Sequence, residues 1–146
     1  MNNKIILLVE DNRDDEELTL RAFKKNLIRN EIIVVRDGAE ALDWLFQRGV
    51  HADRDPSLVP QVVLLDLNLP KVSGLEVLRA VRADPRTKRL PMILLTSSVE
   101  DRDIVAGYDS GANSYVRKPV DFLEFAEAVR SLGVYWLVHN ETPKRT

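Results

Sequence analysis

The chain has 146 residues, about one domain's worth and enough to bury a core. Its 21 basic and 23 acidic residues give a net charge of -2, so the composition supplies no basic surface for nucleic acid and no polybasic membrane anchor. It has no cysteine and only two histidines, and no apolar run approaches the ~20 residues that span a bilayer. We therefore expect a cytoplasmic protein that binds neither nucleic acid nor membrane and that holds any metal ion through oxygen ligands.

The first part of the chain alternates short apolar runs with helical patterns. These patterns predict, in order, a strand over residues 4–9, a helix from a capping segment at 12–15 to about residue 26, a strand over 31–35, a helix over 39–46 and an exposed loop over 47–61. The first strand ends in two acids, Glu10 and Asp11.

The same alternation continues to the end of the chain. It predicts a strand over residues 62–65, a helix from Ser73 to about Asp84, a strand over 90–95, a helix over 99–110, a strand over 114–117 and a last helix that begins at Asp121. Five strand–helix alternations favour a doubly wound parallel sheet.

The last helical pattern continues past Gly133 and carries Trp136 and Leu137 on its apolar stripe. We therefore expect one domain over residues 1–133 and a C-terminal helical extension and tail over 134–146. Something must cover Trp136 and Leu137. Two arrangements would do so: a homodimer contact, or folding back onto their own domain.

Polar residues follow four of the predicted strands: Glu10 and Asp11, then Asp66, Thr96 and Lys118. The carboxyl ends of parallel strands meet at one edge of the sheet, so these side chains are expected to converge. Three nearby carboxylates repel by roughly 4 kcal/mol per pair at an effective dielectric of about 20, which favours binding of a cation. Carboxylates with room for water and a phosphoryl oxygen suit Mg²⁺.

In such a pocket the Asp66 carboxylate can attack a phosphoryl group and form an acyl phosphate. Lys118 would place positive charge on one phosphoryl oxygen, and the Thr96 hydroxyl would donate a hydrogen bond to another. Taken singly, Asp66 could be a solvated strand end, Thr96 a helix cap and Lys118 a surface lysine. Their combination favours a phosphoacceptor site.

The motifs around these residues resemble the receiver domains of bacterial two-component response regulators, over about residues 4–131. They are LLVEDN at 7–12, LLDLNLPKVSG at 64–74, LLTSS at 94–98 and GANSYVRKP at 111–119. The resemblance implies a flavodoxin-like (βα)5 fold, a five-stranded parallel sheet with helices on both faces, here with an extended C-terminal helix. It also implies a protein that catalyses only its own phosphotransfer and dephosphorylation.

Residue roles follow from the same resemblance. It implies that Asp66 is the phosphoacceptor and that Mg²⁺, replaceable by Mn²⁺ or Ca²⁺, is bound by Glu10, Asp11, Asp66 and the backbone carbonyl of Asn68. It implies that Thr96 and Lys118 contact the phosphoryl group and that Thr96 and Tyr115 form the switch. It further implies that Asn68 and Ser98 tune the lifetime of the acyl phosphate and that the Lys118–Pro119 peptide is cis. Tyr115 could instead be a fixed core aromatic.

More narrowly, the chain resembles the single-domain regulators that pair with bacterial phytochrome histidine kinases. The loop over residues 47–61, RAFKKN at 21–26 and the sequence Tyr-Trp-Leu at 135–137 carry this likeness. It implies a sensor histidine kinase, a phytochrome, as partner. Output would pass through protein contact, a downstream phosphotransfer protein or a homodimer.

Three other functions compete with this one. A metal-dependent phosphatase that forms an aspartyl phosphate would place a general acid at the position of Asn68. A flavin-binding module of similar topology would cradle phosphate where Glu10 and Asp11 would repel it. A binding module that ignores phosphorylation would keep its partner affinity after Asp66→Asn.

Overall fold

The computed structural model describes residues 4–97, 100–118 and 121–141. These residues contain β1 (Lys4–Val9), α1 (Arg13–Lys25), β2 (Glu31–Val35), α2 (Gly38–Phe46), a 3₁₀ turn (Gly49–His51), β3 (Val59–Leu65), α3 (Gly74–Ala83), β4 (Met92–Thr96), α4 (Asp101–Asp109), β5 (Ser114–Arg117), α5 (Phe122–Gly133) and a π-helical segment (Val134–His139). The side chains of Asn12, Ser73 and Asp121 cap α1, α3 and α5, as short polar residues do at helix starts.

The five strands form one parallel sheet in the order β2-β1-β3-β4-β5. This arrangement confirms the predicted doubly wound fold. The central strands are buried on both faces because helices cover both, which explains why their sequences are continuous apolar runs without alternation. All five residues of β4 are buried.

Two hydrophobic clusters lie on opposite faces of the sheet, and β1 contributes to both because successive strand residues point to opposite sides. One cluster packs β1 against α2 and α3; its members include Ile5, Leu7, Val9, Trp44, Val77 and Leu78. The other packs β1 against α1 and α5; its members include Ile6, Leu8, Ala22, Phe23, Phe125 and Val129.

Strand β3 begins at Val59, three residues before the predicted start at Val62, and it includes Pro60. A shift of register between Ile5 and Ile6 of β1 accompanies this proline. Proline lacks a backbone N–H for the ladder, so it is tolerated in a strand at such an irregularity. The loop before β3 is correspondingly shorter than predicted.

The prediction that residues 47–61 form an exposed loop is wrong in part, because contacts with α2 tie the segment down. The Arg54 guanidinium lies 3.8 Å from the centroid of the Trp44 ring, and Arg54 Nε donates to the Trp44 carbonyl oxygen at 2.6 Å. His51 Nε2 lies 2.9 Å from Glu40 Oε2, and His51 is half-buried. The sequence pattern shows polarity but not these long-range contacts.

The π-helical segment continues α5, as predicted, and folds back onto the cluster formed by α1 and α5. Trp136 and Leu137 are partly buried against that cluster. The exposed apolar residues of the segment are Val134, Tyr135 and Val138, at 44%, 52% and 72% of their full accessibility. Folding back therefore covers Trp136 and Leu137 without a second copy. Among the helices of the described ranges, none combines the length and apolar character needed to cross a membrane.

Candidate functional site

The carboxyl edge of the sheet gathers Glu10, Asp66 and Lys118 because each directly follows a strand. The backbone N–H of Glu10 donates to Val35 O at 3.0 Å, that of Asp66 to Val9 O at 3.3 Å, and that of Lys118 to Thr96 O at 2.8 Å. These bonds extend the strand ladders by one residue. The sheet itself therefore sets the positions of the three side chains.

The ammonium of Lys118 lies at the centre of this site. Its Nζ is 3.0 Å from Asp66 Oδ2 and 3.1 Å from Asp15 Oδ2, and it also donates to Glu10 Oε1. The side chains of Lys118, Asp66 and Glu10 are only 10%, 12% and 2% exposed. Water screens such charges poorly, so their mutual pairing dominates the local electrostatics.

Three carboxylates surround this single ammonium. Glu10, Asp15 and Asp66 each place a carboxylate oxygen within 4.8 Å of the others. Hard oxygen atoms at this separation fit the ligand preference of a divalent ion such as Mg²⁺, which keeps several waters and uses one or two carboxylates. The three carboxylates can therefore serve as oxygen ligands of such an ion.

Asp15, which the sequence analysis did not single out, occupies the place in this cluster that was expected for Asp11. Asp11 is exposed, and Asp15 projects from the first turn of α1. The sequence could have indicated Asp15, because α1 begins shortly after β1 and its first turn therefore lies at the same edge of the sheet. Asp11 as a metal ligand stays a prediction.

Two side chains of the site, Lys118 and Glu10, have pKa values above their usual range. Burial lowers the pKa of Lys118, but hydrogen bonds and negative charge from Glu10 and Asp66 outweigh burial and raise it above its usual range. Burial raises the pKa of Glu10, and the charge of Asp66 adds to this, while Lys118 opposes it. The raised pKa of Lys118 thus reflects its carboxylate partners, and the raised pKa of Glu10 reflects mainly its burial. Lys118 stays protonated at neutral pH, and the site can still accept positive charge.

The loop after β3 holds Asp66 in a tight turn. Asp66 Oδ1 accepts a hydrogen bond from the backbone N–H of Asn68 at 3.1 Å, and Gly74 N donates to Leu67 O at 3.0 Å. A Cβ atom on Gly74 would lie 2.3 Å from the carbonyl oxygen of Asp66, so only glycine lets α3 start this close to the site. Asn68 is exposed, and its predicted roles as carbonyl ligand and lifetime-tuning residue stay predictions.

Thr96 and Tyr115 lie on the neighbouring strands β4 and β5, and the Thr96 carbonyl oxygen accepts a hydrogen bond from the backbone N–H of Lys118. Thr96 is fully buried at the end of β4, and the N-cap of α4 is Glu100, so Thr96 is not the helix cap considered above. Tyr115 is partly buried against the cluster that contains Leu94, close to Gly107 of α4. Coupled motion of Thr96 and Tyr115 stays a prediction.

Two predictions fall on residues outside the described ranges. Ser98, expected to tune the lifetime of the acyl phosphate, lies outside the described ranges. Pro119 is the other, and with it the expected cis peptide after Lys118. Both expectations stay predictions.

Known proteins share both the sequence and the fold of this chain. Response regulator Rcp1 of Synechocystis sp. is 37% identical over 134 residues, which span 92% of this chain and 89% of Rcp1. The crystal structure of Rcp1 in its Mn²⁺-bound form matches with a TM-score of 0.86 at 35% identity, covering 97% of this chain and 99% of that one.

Two further solved structures are similar over nearly the whole chain. The phosphorylated cyanobacterial phytochrome response regulator RcpA has a TM-score of 0.88 and 37% identity, covering 97% of this chain and 99% of its own. The bacteriophytochrome response regulator RtBRR has a TM-score of 0.77 and 51% identity, covering 96% and 84%. The profile of the response regulator receiver domain matches residues 6–130. Since that match spans most of the chain, the protein belongs to the response regulator receiver domain family.

Proposed function

We propose that Asp66 accepts a phosphoryl group from a phosphohistidine of a sensor histidine kinase in the cytoplasm. The Asp66 carboxylate forms the new phosphorus–oxygen bond as the phosphorus–nitrogen bond of the donor breaks. The observation that carries this proposal is the pairing of Asp66 with the Lys118 ammonium at the carboxyl edge of the sheet, 3.0 Å apart. The Asp66 side chain is 12% exposed, so it is not sealed off from solvent.

Glu10 and Asp66 are the residues that we propose hold a divalent ion, Mg²⁺ by preference, with Asp11 and the Asn68 carbonyl as further ligands. When bound, this ion supplies positive charge that offsets the carboxylates and the transferring phosphoryl group. The similar protein Rcp1 has been solved in a Mn²⁺-bound form, which supports the proposal of a divalent ion. Mn²⁺ and Ca²⁺ are expected to replace Mg²⁺.

Phosphorylation adds about -1.5 to -2 charges at Asp66. Lys118 and the Thr96 hydroxyl are the groups that we propose follow this charge, with Tyr115 responding to the shift of Thr96. Because Tyr115 packs beside Gly107 of α4, its movement would alter the surface formed by α4 and β5. The output is then a change in protein binding or onward phosphotransfer to a downstream protein.

The partner kinase is proposed to be a phytochrome. RcpA and RtBRR are named as phytochrome and bacteriophytochrome response regulators, and both are similar to this chain over almost its full length. The test compares the initial rates of phosphotransfer to this protein from a purified phytochrome kinase and from an unrelated histidine kinase. Equal rates from both kinases would contradict the pairing.

A homodimer through the C-terminal extension, taken here as residues 134–146, is the second part of the proposal. Trp136 and Leu137, the residues first expected at the contact, are partly covered by their own domain. Val134, Tyr135 and Val138 are exposed beside them and supply the free apolar surface. Sedimentation of the wild type and of Val138→Asp tests the contact; a monomeric wild type, with and without phosphorylation, would rule it out.

The other functions are less well supported. Asn68 cannot donate a proton as the general acid of a phosphatase would. A flavin phosphate would meet the negative charge of Glu10 and Asp66 in place of a cradle of N–H groups. A binding module that is independent of phosphorylation is separated from our proposal by experiment.

The test is incubation with acetyl phosphate and Mg²⁺, followed by the intact mass of the protein. We expect the wild type to gain one phosphoryl group and Asp66→Asn to gain none. Asp53→Asn, a change at an exposed loop aspartate, is the matched control and should be labelled like the wild type. Labelling of Asp66→Asn at the wild-type level, or no labelling of the wild type, would overturn the assignment.

A further inference from the structure

Asp15 is a third acidic partner of the Lys118 ammonium and differs from the other two in position. Its Oδ2 lies 3.1 Å from Lys118 Nζ, almost the same distance as Asp66 Oδ2 at 3.0 Å. The Asp15 side chain is 40% exposed, against 12% for Asp66 and 2% for Glu10. Asp15 therefore approaches the ammonium from the solvent side, the side from which a phosphoryl donor must arrive.

The backbone holds Asp15 firmly in this place. Its N–H donates to Asn12 Oδ1 at 3.0 Å, which caps α1. Its carbonyl oxygen accepts from the hydroxyl of Thr19 at 2.8 Å, and Thr19 is fully buried. The carboxylate is thus attached to a fixed first turn of α1, and it cannot move far from Lys118 without a change of rotamer.

Phosphorylation of Asp66 reverses the electrostatic effect of the Asp15 carboxylate on the site. In the resting site the Asp15 carboxylate attracts Lys118. After phosphotransfer it lies close to a group that carries about -1.5 to -2 charges, since oxygens of Asp15 and Asp66 are within 4.8 Å in the resting site. The phosphoryl group and Asp15 then need the same ammonium and repel each other. Both effects favour the unphosphorylated state.

We propose that Asp15 is a positioning residue that holds Lys118 in the resting site and competes with the phosphoryl group for it. This inference rests on the proposed function of Asp66. It makes the first turn of α1 a determinant of how readily the protein becomes phosphorylated. A negative charge at this place opposes a phosphoryl group and supports a cation, so its removal should change the two affinities in opposite directions.

The experiment uses beryllium trifluoride, an anionic mimic of the phosphoryl group that binds a carboxylate oxygen, and measures its affinity by calorimetry in saturating Mg²⁺. We expect Asp15→Asn to bind the mimic about fourfold or more tightly than the wild type, the effect of one unit charge removed at roughly 5 Å in a water-like dielectric. In a separate titration, Mg²⁺ alone should bind Asp15→Asn more weakly than the wild type. A purely structural defect would weaken both ligands.

Asp14→Asn is the matched control, because Asp14 is an exposed acid in the same first turn of α1 and has the same relation to the helix dipole. It should leave both affinities near wild type. Asp15→Ser also removes the charge and must act as Asp15→Asn does, which covers the case in which one variant folds poorly. Equal or weaker binding of the mimic by both Asp15 variants, or the same gain in Asp14→Asn, would overturn the inference.

The two proposals fail in different ways. If the wild type does not bind the mimic, or binds it equally well after Asp66→Asn, the phosphoacceptor function itself is wrong. If binding requires Asp66 but the Asp15 variants match the wild type, only the role of Asp15 is wrong.

Discussion

Lys118 Nζ lies 3.0 Å from Asp66 Oδ2, so the carboxylate proposed to receive the phosphoryl group is paired with a cation before any donor arrives. Glu10 and Asp15 bind the same ammonium. One positive charge thus holds together elements from both ends of the chain, since Glu10 follows β1 and Lys118 follows β5. Stability and phosphotransfer are therefore expected to depend on the same few side chains.

Lys118→Met should destabilise the fold in metal-free buffer. Methionine keeps the length of the side chain but leaves the buried Glu10 and the nearly buried Asp66 without their cation. Breaking a buried ion pair costs about 3–5 kcal/mol. Because Asp15 is partly exposed, we expect the free energy of unfolding to fall by about 3 kcal/mol, the lower end of that range. Urea unfolding measures this change. Lys88→Met, at an exposed lysine, should change the free energy of unfolding by less than about 0.5 kcal/mol.

Mg²⁺ should raise the thermal midpoint of the wild type, and a chelator should reverse the rise. Binding to the native state alone stabilises it by about 2.7 kcal/mol when the free ion is a hundredfold above its dissociation constant. Asp66→Asn should lose most of this gain because it removes one carboxylate from the cluster. Differential scanning calorimetry at constant ionic strength is the measurement. An equal rise in Asp66→Asn would place the ion elsewhere.

Gly74→Ala should distort the turn that carries Asp66. The new Cβ would lie 2.3 Å from Asp66 O and 2.9 Å from Leu67 Cα, both backbone atoms that cannot move alone. We expect a loss of about 1–3 kcal/mol in the free energy of unfolding and slower labelling by acetyl phosphate. Gly133→Ala is the control: its Cβ would lie 2.7 Å from Ile28 Cδ1, the end of a flexible side chain, and 3.5 Å from Ile28 Cγ1. Normal labelling of Gly74→Ala would show that the turn adapts.

Arg54→Ala should loosen the loop before β3 and leave phosphorylation intact. Arg54 donates to the carbonyl oxygens of Trp44 at 2.6 Å and Leu58 at 3.2 Å, and its guanidinium stacks on the Trp44 ring. We expect faster amide hydrogen exchange over residues 49–58 and a loss of about 1–2 kcal/mol in the free energy of unfolding. Labelling by acetyl phosphate should not change, because this loop lies at the opposite edge of the sheet from Asp66.

Asp84 should titrate at unusually low pH. Its side-chain and backbone hydrogen bonds with Arg86 lower its pKa from 3.8 to about 2. The stabilisation from this pair is thus present above about pH 4 and is lost as the pH falls towards 2. A carboxyl-carbon NMR titration measures the pKa. Arg86→Gln keeps the backbone bond and should move the pKa part of the way back to 3.8; an unchanged value would contradict the assigned cause.

Local features of the sequence were sufficient to predict the elements. Continuous apolar runs such as Met92–Thr96 are typical of strands covered on both faces, and Asn12, Ser73 and Asp121 mark helix starts because their short side chains satisfy free N–H groups. The convergence of Glu10, Asp66 and Lys118 follows from the rule that parallel strands end at one edge of the sheet. The strand order β2-β1-β3-β4-β5 came from the structure.

Contacts between distant segments needed the tertiary structure. Asp15 reaches Lys118 although 103 positions separate them, and Arg54 anchors a loop that appears only polar in sequence. The sequence places Trp136 on an apolar stripe of the last helix. Whether its own domain covers Trp136 depends on how the π-helical segment turns back. Periodicity and capping act within a few residues of the chain, whereas these pairings depend on how helices pack across the sheet. The sequence alone thus determined the strands, the helices and the edge at which the acids and the lysine meet; the packing of α1 and the C-terminal segment decided which of their side chains face the site and which face solvent.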